Sequence, residues 1–422
     1  MRTCRAVAVV IGLAVGFTGC GGGGTPGGGG GPSSGTNSAT VTVTFTGATP
    51  IAIATQIGDG GFTNVTPSNQ VTFTVPSGTT KYAFAFLCPT AVSQPFNAET
   101  VVEATTLDST SFTENCFSSF PATGTATGNA SSSIPGTSNL EVVGNGGSSN
   151  SFPNPATFSL PMNVGTNDVA VLAHDGSLNI VGIKIVRSQT VPGPVGGSGI
   201  VLTSPADAST TQSATITNVS PGLNPPSALV RYHTANGTIF ELTNTALGPT
   251  NPQSYAVVPA ASTQPGDFYH YFVSTNTTSG GQLLGMAMST TNGGGAVTLP
   301  LPVPWTFSGP VPAKLPVFTF NYSGFNGQAQ IEDSVFIEWF VGSTSDQITV
   351  TATANFQSGA TTVAIPDLSS IPGFLTPAPS GTTIFWDADI FAGNPQVMTT
   401  LQNPPPNASG SFVQNGGQFI QP

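Results

Sequence analysis

The sequence predicts an all-β protein built from tandem antiparallel β-sandwich modules. Apolar residues alternate with Thr or Ala in 41–45, 71–75, 81–86 and 348–356, the period of half-buried strands. Gly (52) and Pro (37) together make up about a fifth of the 422 residues, which places a turn every few residues. After the N-terminal apolar run, no stretch of about 20 residues keeps a helical period.

The N-terminus has the pattern of an export signal. Arg2 and Arg5 precede an apolar run over 6–16 that is too short to span a bilayer stably. The segment 17–20, Phe-Thr-Gly-Cys, resembles the lipobox of bacterial lipoproteins, with Phe17 in place of the usual Leu. The resemblance implies that 1–19 is a signal peptide and that Cys20 carries lipid. The protein is then exported and lipid-anchored to the membrane, at the outer membrane or cell surface. An ordinary signal peptide with an incidental Cys is the alternative.

The residues after Cys20 predict a flexible tether. Residues 21–36, GGGGTPGGGGGPSSGT, contain no apolar side chain that could be buried. We therefore expect 20–37 to separate the folded modules from the lipid.

Two cysteines remain once Cys4 leaves with the signal peptide and Cys20 takes lipid. In an exported chain, Cys88 and Cys116 form an even pair and predict a disulfide. Closing this loop would contribute about 3–4 kcal/mol in the chain-entropy model. Two free thiols or a metal pair are the alternatives.

One strand unit recurs along the chain. A strand, a short polar loop containing Pro, a Gly and a strand of aromatic or branched residues follow one another, at 71–86, 157–172, 256–273 and 376–390. The unit resembles the penultimate hairpin of fibronectin-type and related immunoglobulin-like modules, which implies up to four sheet units.

Clusters of Pro and Gly at 189–199 and 300–316 predict linkers between modules. The predicted division is 38–190, a β-sandwich block of one or two units in which the Cys88–Cys116 bridge would tie two units together, followed by single sandwiches at 194–299 and 300–422.

The charge balance argues against nucleic acid as a partner. Charged residues make up 6% of the chain, and removal of Arg2 and Arg5 leaves five basic against eighteen acidic residues. Such a surface repels a polyanion, and no cluster of Lys and Arg reverses the repulsion locally.

The sequence offers no catalytic motif, so we expect no enzyme, no cofactor and no metal site. His174, His233 and His270 lie in separate strand contexts, and the Gly-x-Ser-x-Gly motif of serine hydrolases is absent. A carboxylate pair of the glycosidase type is the remaining option. Its candidates are all in the last domain: Glu332, Asp333, Glu338, Asp387 and Asp389.

Two strands of the last domain predict an unusual outer face. Alternation over 334–342 and 383–392 defines an inner face of Val335, Ile337, Trp339, Val341, Ile384, Trp386, Ala388 and Ile390. The same alternation points a mixed aromatic and acidic set outward: Phe336, Glu338, Phe340, Phe385, Asp387, Asp389 and Phe391.

Four neighbouring Phe side chains would mark a contact surface. Either the loop 366–382 or the preceding domain covers them, or a saccharide or partner protein binds there. Ca²⁺ is disfavoured, because one Asp-x-Asp pair supplies too few oxygens.

These features together predict a non-enzymatic, membrane-anchored surface lipoprotein whose sandwich modules act as spacer and interaction surface. A carbohydrate-binding or adhesion protein, a purely structural envelope protein and a secreted hydrolase with a carboxylate pair are the alternatives.

Overall fold

The computed structural model describes residues 38–88, 96–116, 123–145, 149–197, 199–243, 250–291, 293–307, 309–394 and 405–422. The predicted signal peptide, Cys20 and the tether to residue 37 lie outside the described residues. The described chain is nearly all β and forms four sandwich modules, as the alternation predicts. None of its helices is long and apolar enough to cross a membrane.

The described part of module 1 has seven strands in two sheets. The strands are β1 (Ala39–Gly47), β2 (Ala52–Ile57), β3 (Thr63–Val65), β4 (Gln70–Val75), β5 (Lys81–Cys88), β6 (Phe96–Thr105) and β7 (Ser111–Cys116). One sheet has the order β4-β1-β7, with β1 and β7 parallel, and β3-β2-β5-β6 run side by side in the other.

Module 2 repeats this arrangement. Its strands are β8 (Thr123–Ser132), β9 (Asn139–Val143), β10 (Ser149–Pro153), β11 (Ala156–Asn163), β12 (Gly165–His174), β13 (Ile180–Val191), β14 (Gly193–Pro194) and β15 (Ile200–Leu202). The sheets have the orders β11-β8-β14 and β10-β9-β12-β13, and both β14 and β15 run parallel to β8.

Module 3 has the same order again. Its strands are β16 (Thr210–Thr217), β17 (Ser227–His233), β18 (Ile239–Glu241), β19 (Gln253–Val257), β20 (Phe268–Asn276), β21 (Gln282–Thr291) and β22 (Val297–Pro300). They form β19-β16-β22 and the run β18-β17-β20-β21.

Module 4 consists of β23 (Val317–Thr319), β24 (Gln330–Val341), β25 (Thr344–Thr353), the short helix α1 (Ala354–Gln357), β26 (Thr362–Ala364), β27 (Thr383–Gly393) and β28 (Ser409–Ile420). Strand β23 pairs with β26, and β25-β24-β27-β28 run side by side.

Modules 1 to 3 therefore share one strand order, in which strands 4-1-7 face strands 3-2-5-6, and the described strands of module 4 follow the same order without a seventh strand. A constant-type immunoglobulin domain instead pairs strands 1-2-5-4 and 3-6-7. The chain keeps the two-sheet sandwich and uses a different pairing.

A single twelve-stranded sheet joins modules 1, 4 and 3. Its order is β18-β17-β20-β21-β28-β27-β24-β25-β6-β5-β2-β3. Residues 96–103 of β6 pair in parallel with 345–352 of β25, and β21 pairs antiparallel with β28. Module 4 thus lies between modules 1 and 3. The predicted segment 38–190 spans module 1 and most of module 2, whose β14 falls inside the predicted linker 189–199.

Strand β5 shows how the shared sheet is buried on both faces. Its Phe84 and Phe86 enter the core of module 1, while Ala85 and Leu87 face the core of module 4. A strand covered on both sides reads as a near-continuous apolar run, which is what residues 82–88 are.

The disulfide joins Cys88, at the end of β5, to Cys116, at the end of β7. The predicted pair is therefore present, and it links the two sheets of module 1. Both sulfurs belong to that module, so the bond does not connect it to module 2.

One guanidinium group locks module 2 to module 3. Arg187 on β13 bonds Asp168 on β12 at 2.8 Å and Asp267 at 2.6 Å. Asp267 also accepts from the Tyr232 hydroxyl at 2.8 Å. Both carboxylates are buried, and charge-assisted bonds of this kind fix orientation as well as adding stability.

The close packing of the shared sheet can be tested by substitution of Gly285 on β21. A Cβ there would lie 2.1 Å from Cε1 of Phe412 on β28, whereas a Cβ at Gly281 would meet nothing within 4 Å. We expect Gly285→Ala to destabilise the protein by about 1–3 kcal/mol, because Phe412 must leave its position. Thermal unfolding of this variant is compared with Gly281→Ala, and equal melting temperatures for the two would contradict the close packing.

Candidate contact surface on the shared sheet

Register places all seven predicted outer-face residues on one side of the shared sheet. Phe336 lies opposite Asp387, and Glu338 lies opposite Phe385, on the adjacent strands β24 and β27. We call this side, opposite the cores of modules 3 and 4, the open face. The inner-face residues Val335, Ile337 and Trp339 are buried as predicted, while Val341 at the strand end is 55% exposed.

Two of the four Phe rings are exposed to solvent. Phe340 is 56% exposed and Phe385 is 38% exposed, and their ring centroids lie 6.2 Å apart in an edge-to-face arrangement. Phe336 and Phe391 are half-buried. The loop 366–382 packs through Ile371 and Phe374 on the inner face. The loop therefore does not cover the Phe pair.

Carboxylates flank the Phe pair. Glu338 accepts a hydrogen bond from the Gln347 side chain at 2.9 Å. Burial and the charge of Glu338 raise the pKa of Asp387 to about 6. Burial and the charge of Asp387 raise the pKa of Asp389 to about 8, against the opposing hydrogen bond from Gln414. The charge of this face therefore changes across the neutral pH range.

The five glycosidase candidates do not share one side of the sheet. Asp333 is fully buried on the inner side, where it accepts from Gln330 at 2.7 Å and Gln357 at 2.8 Å. Burial raises its pKa to about 7. Glu332 lies on the open face, and burial together with neighbouring carboxylates raises its pKa well above the usual value.

An aromatic row continues from β27 across module 3. The ring centroids of Phe391 and Phe412 lie 6.2 Å apart. Phe412 also stacks on Phe272, with ring centroids 6.2 Å apart, and passes over Gly285. His270 and His233 extend the row, 5.4 Å apart. Sequence reasoning missed this continuation, because alternation in 268–276 assigns faces but does not reveal which strands are neighbours.

The two histidines of the row are buried and neutral. His270 is 1% exposed and His233 is 4% exposed, and His233 Nε2 and both ring nitrogens of His270 have no hydrogen-bond partner among the described residues. Burial lowers the pKa of His233 to about 4 and that of His270 to about 3.

The third histidine, His174, is bonded to the Glu141 carboxylate at 3.2 Å and to the Leu178 carbonyl. Within the described ranges, no group of three or more His, Cys, Asp or Glu side chains is arranged to hold a metal ion.

No family model and no curated protein matches the chain. The tip fimbrial protein Mfa3 from Porphyromonas gingivalis, truncated at its C-terminus, is 12% identical with a TM-score of 0.16. That match covers 42% of this chain and 84% of the other. A tetra-tandem repeat from the extending region of a large adhesion protein is 9% identical with a TM-score of 0.11, covering 91% of this chain and 100% of the other. These scores are too low to carry a structural or functional argument.

The raised pKa of Asp389 predicts that the protein becomes less stable as the pH rises. Its carboxyl is neutral in the folded state below about pH 8 and ionises near pH 4 in the unfolded chain. The stability that this group contributes is therefore fully present below about pH 4 and is lost as the pH rises toward about 8. We expect the melting temperature to fall between about pH 4 and pH 8, with no further loss from this group above about pH 8, and we expect a smaller fall in Asp389→Asn. Asp59→Asn, on an exposed turn, controls for loss of a negative charge. An equal fall in parent and Asp389→Asn would contradict this origin.

Proposed function

We propose that this protein is an exported, lipid-anchored, non-enzymatic interaction protein whose sandwich modules hold a contact surface away from the membrane. The observation that carries the proposal is the exposed Phe340–Phe385 pair beside Glu338 and Asp387 on the open face. Its partner is a saccharide or a surface protein, and nucleic acid is not expected.

The Phe pair has the properties of a contact surface. Soluble proteins usually expose large apolar side chains singly, and a contiguous aromatic patch rimmed by polar groups marks a binding site. Phe340 and Phe385 adjoin each other, and carboxylate and amide groups surround them. A partner would therefore gain apolar area and hydrogen bonds at one place.

The surrounding sheet makes this surface rigid. Strands β24 and β27 are interior strands of the shared sheet and are bonded on both edges. Trp339 and Trp386 fix them from the inner side. A surface held in its binding geometry loses little conformational entropy when a partner binds.

The proposed anchor and tether would set the distance between the modules and the membrane. The lipobox resemblance supports lipid on Cys20, and two or more acyl chains would hold the protein durably. A flexible Gly-rich chain of this length spans about 20–25 Å on average. Module 1 would then stand clear of the headgroups.

Carbohydrate binding is the second candidate. Two adjoining aromatic rings offer an apolar platform, and Glu338, Gln347 and Asp387 lie within the same face as hydrogen-bonding groups. Saccharides present an apolar ring face bordered by hydroxyls, which matches this combination.

The double variant Phe340→Ser and Phe385→Ser tests the contact surface. We expect the melting temperature to stay within a few degrees, because both rings are largely exposed, and binding to drop at least about tenfold. Glycan arrays and pull-downs from the native cell surface provide the binding measurements. Leu107→Ser removes an exposed apolar side chain elsewhere and should keep binding. Unchanged binding by the double variant would refute the proposal.

Cys20→Ser tests the anchor. Without the thiol no diacylglycerol can be attached, so we expect the variant in the soluble exported fraction and no incorporation of a palmitate analogue. Cys4→Ser, within the signal peptide, is the matched control and should still be labelled. A parent protein that takes no label would exclude lipid anchoring.

A further inference from the structure

A row of carboxyl groups runs along the open face, away from the Phe pair. Glu338 and Asp387 lie beside the Phe pair on β24 and β27. Asp389 and Glu332 follow on the same two strands, because side chains at every second position point to one side of a sheet. We call these four residues the acidic row. An occupant of the open face therefore meets carboxyl groups and phenyl rings together.

Module 1 adds a fifth carboxyl at the far end of the acidic row. Phe112 on β7 packs edge-to-face against Phe84 of β5, with ring centroids 5.0 Å apart, so this side of β7 faces the shared sheet. Glu114 is two positions further on the same side, and its charge raises the pKa of Glu332. Glu114 is 4% exposed, and its Oε2 has no hydrogen-bond partner among the described residues. A buried carboxylate oxygen of this kind is stabilised by a charged donor from a binding partner.

The basic side chains of this chain lie elsewhere. After Arg5, within the predicted signal peptide, the sequence has five basic residues, and the structure describes them all: Lys81, Lys184, Arg187, Arg231 and Lys314. Lys184, Arg187 and Lys314 are paired with carboxylates outside the acidic row. Lys81 lies 5.0 Å over the Phe356 ring, and Arg231 is on β17, four strands away from β27 in the shared sheet. A cation at the acidic row must therefore come from another molecule.

The buried carboxyls of this region are costly to ionise without a cation. Burial raises the pKa of Glu114 to about 8, and burial with the charge of Asp387 raises that of Asp389 to about 8. A cation bound nearby favours the ionised form and lowers these pKa values. The acidic row therefore gains most from a positively charged occupant.

A metal ion and a neutral saccharide match this surface less well than an organic cation. In the part of the chain that the structure describes, no three His, Cys, Asp or Glu side chains are arranged to hold a metal ion. A neutral saccharide exchanges hydrogen bonds but brings no charge to the acidic row. An ammonium or guanidinium group pairs with carboxylates and is also attracted to the faces of Phe340 and Phe385.

We propose that the open face binds a basic segment of a partner protein, whose Lys or Arg side chains meet the acidic row while its apolar side chains contact Phe340 and Phe385. This inference rests on the contact surface proposed above and assigns it a protein partner. Lys and Arg suit the site because their apolar stems can lie on the phenyl rings while their charged ends reach the carboxyls.

Two labelled peptides are the probes, added to the full exported chain. The peptide KSFSKSFSK places Lys and Phe alternately on one side of an extended chain, and QSFSQSFSQ is its neutral match. Fluorescence anisotropy should show saturable binding of the Lys peptide, at least about tenfold tighter than that of the Gln peptide at low salt. Raising the salt concentration should remove most of this difference, because charges near a surface are screened.

Substitution of the acidic row locates the site. Glu338→Gln combined with Asp387→Asn should weaken binding of the Lys peptide by about tenfold or more and leave binding of the Gln peptide unchanged. Asp59→Asn combined with Glu141→Gln removes two carboxyls from modules 1 and 2. This control should bind the Lys peptide like the parent, which excludes attraction to the net charge of the protein alone.

The outcomes separate this proposal from that of the contact surface. Equal binding of the two peptides by the parent, or unchanged binding of the Lys peptide by Glu338→Gln with Asp387→Asn, would overturn the basic partner. Neutral glycans that bind only while Phe340 and Phe385 are present, without binding of the Lys peptide, would also overturn it and leave the contact surface standing. If Phe340→Ser with Phe385→Ser keeps all binding of the parent, both proposals are wrong.

Discussion

The parallel pairing of β6 with β25 is the constraint on which the architecture depends. It joins residues almost 250 positions apart, and Asn97 bonds Asp346 across it at 2.7 Å. Module 1 would otherwise meet module 4 nowhere in the shared sheet. Because loop closure must precede any gain from such distant contacts, this seam is expected to form late in folding.

The features that could be predicted from the sequence are those that depend on the alternation of side chains within one strand. Alternation alone placed Trp339 and Ile337 inside and Phe340 and Phe385 outside, since side chains in a strand alternate whatever its neighbours are. Val341 is exposed although the alternation points it inward, because it is the last residue of β24 and the core does not extend to that end of the strand. The seam and the Phe272–Phe412 contact could not be predicted, because periodicity carries no information about which strands become neighbours or in which register.

The few charges of this chain are used in two contrasting ways. Arg187 donates hydrogen bonds to two buried carboxylates, Asp168 and Asp267, and this orients module 2 on module 3. Other acids are buried with no cation beside them: burial raises the pKa of Glu114 to about 8 and that of Asp389 likewise. Such groups are tolerated because they remain protonated. The open face therefore combines apolar rings with carboxyls whose ionisation depends on their surroundings.

The seam also determines how the protein carries mechanical load. With the anchor and the partner proposed above, a pull on Phe340 and Phe385 would pass from β24 through β25 into β6 and then into module 1. Modules 2 and 3 lie outside this path, although they occupy the middle of the chain. The tension would fall on the backbone hydrogen bonds of the parallel pair β6–β25. In this arrangement the force path would be short, because it crosses one strand pair and bypasses the two modules in the middle of the chain.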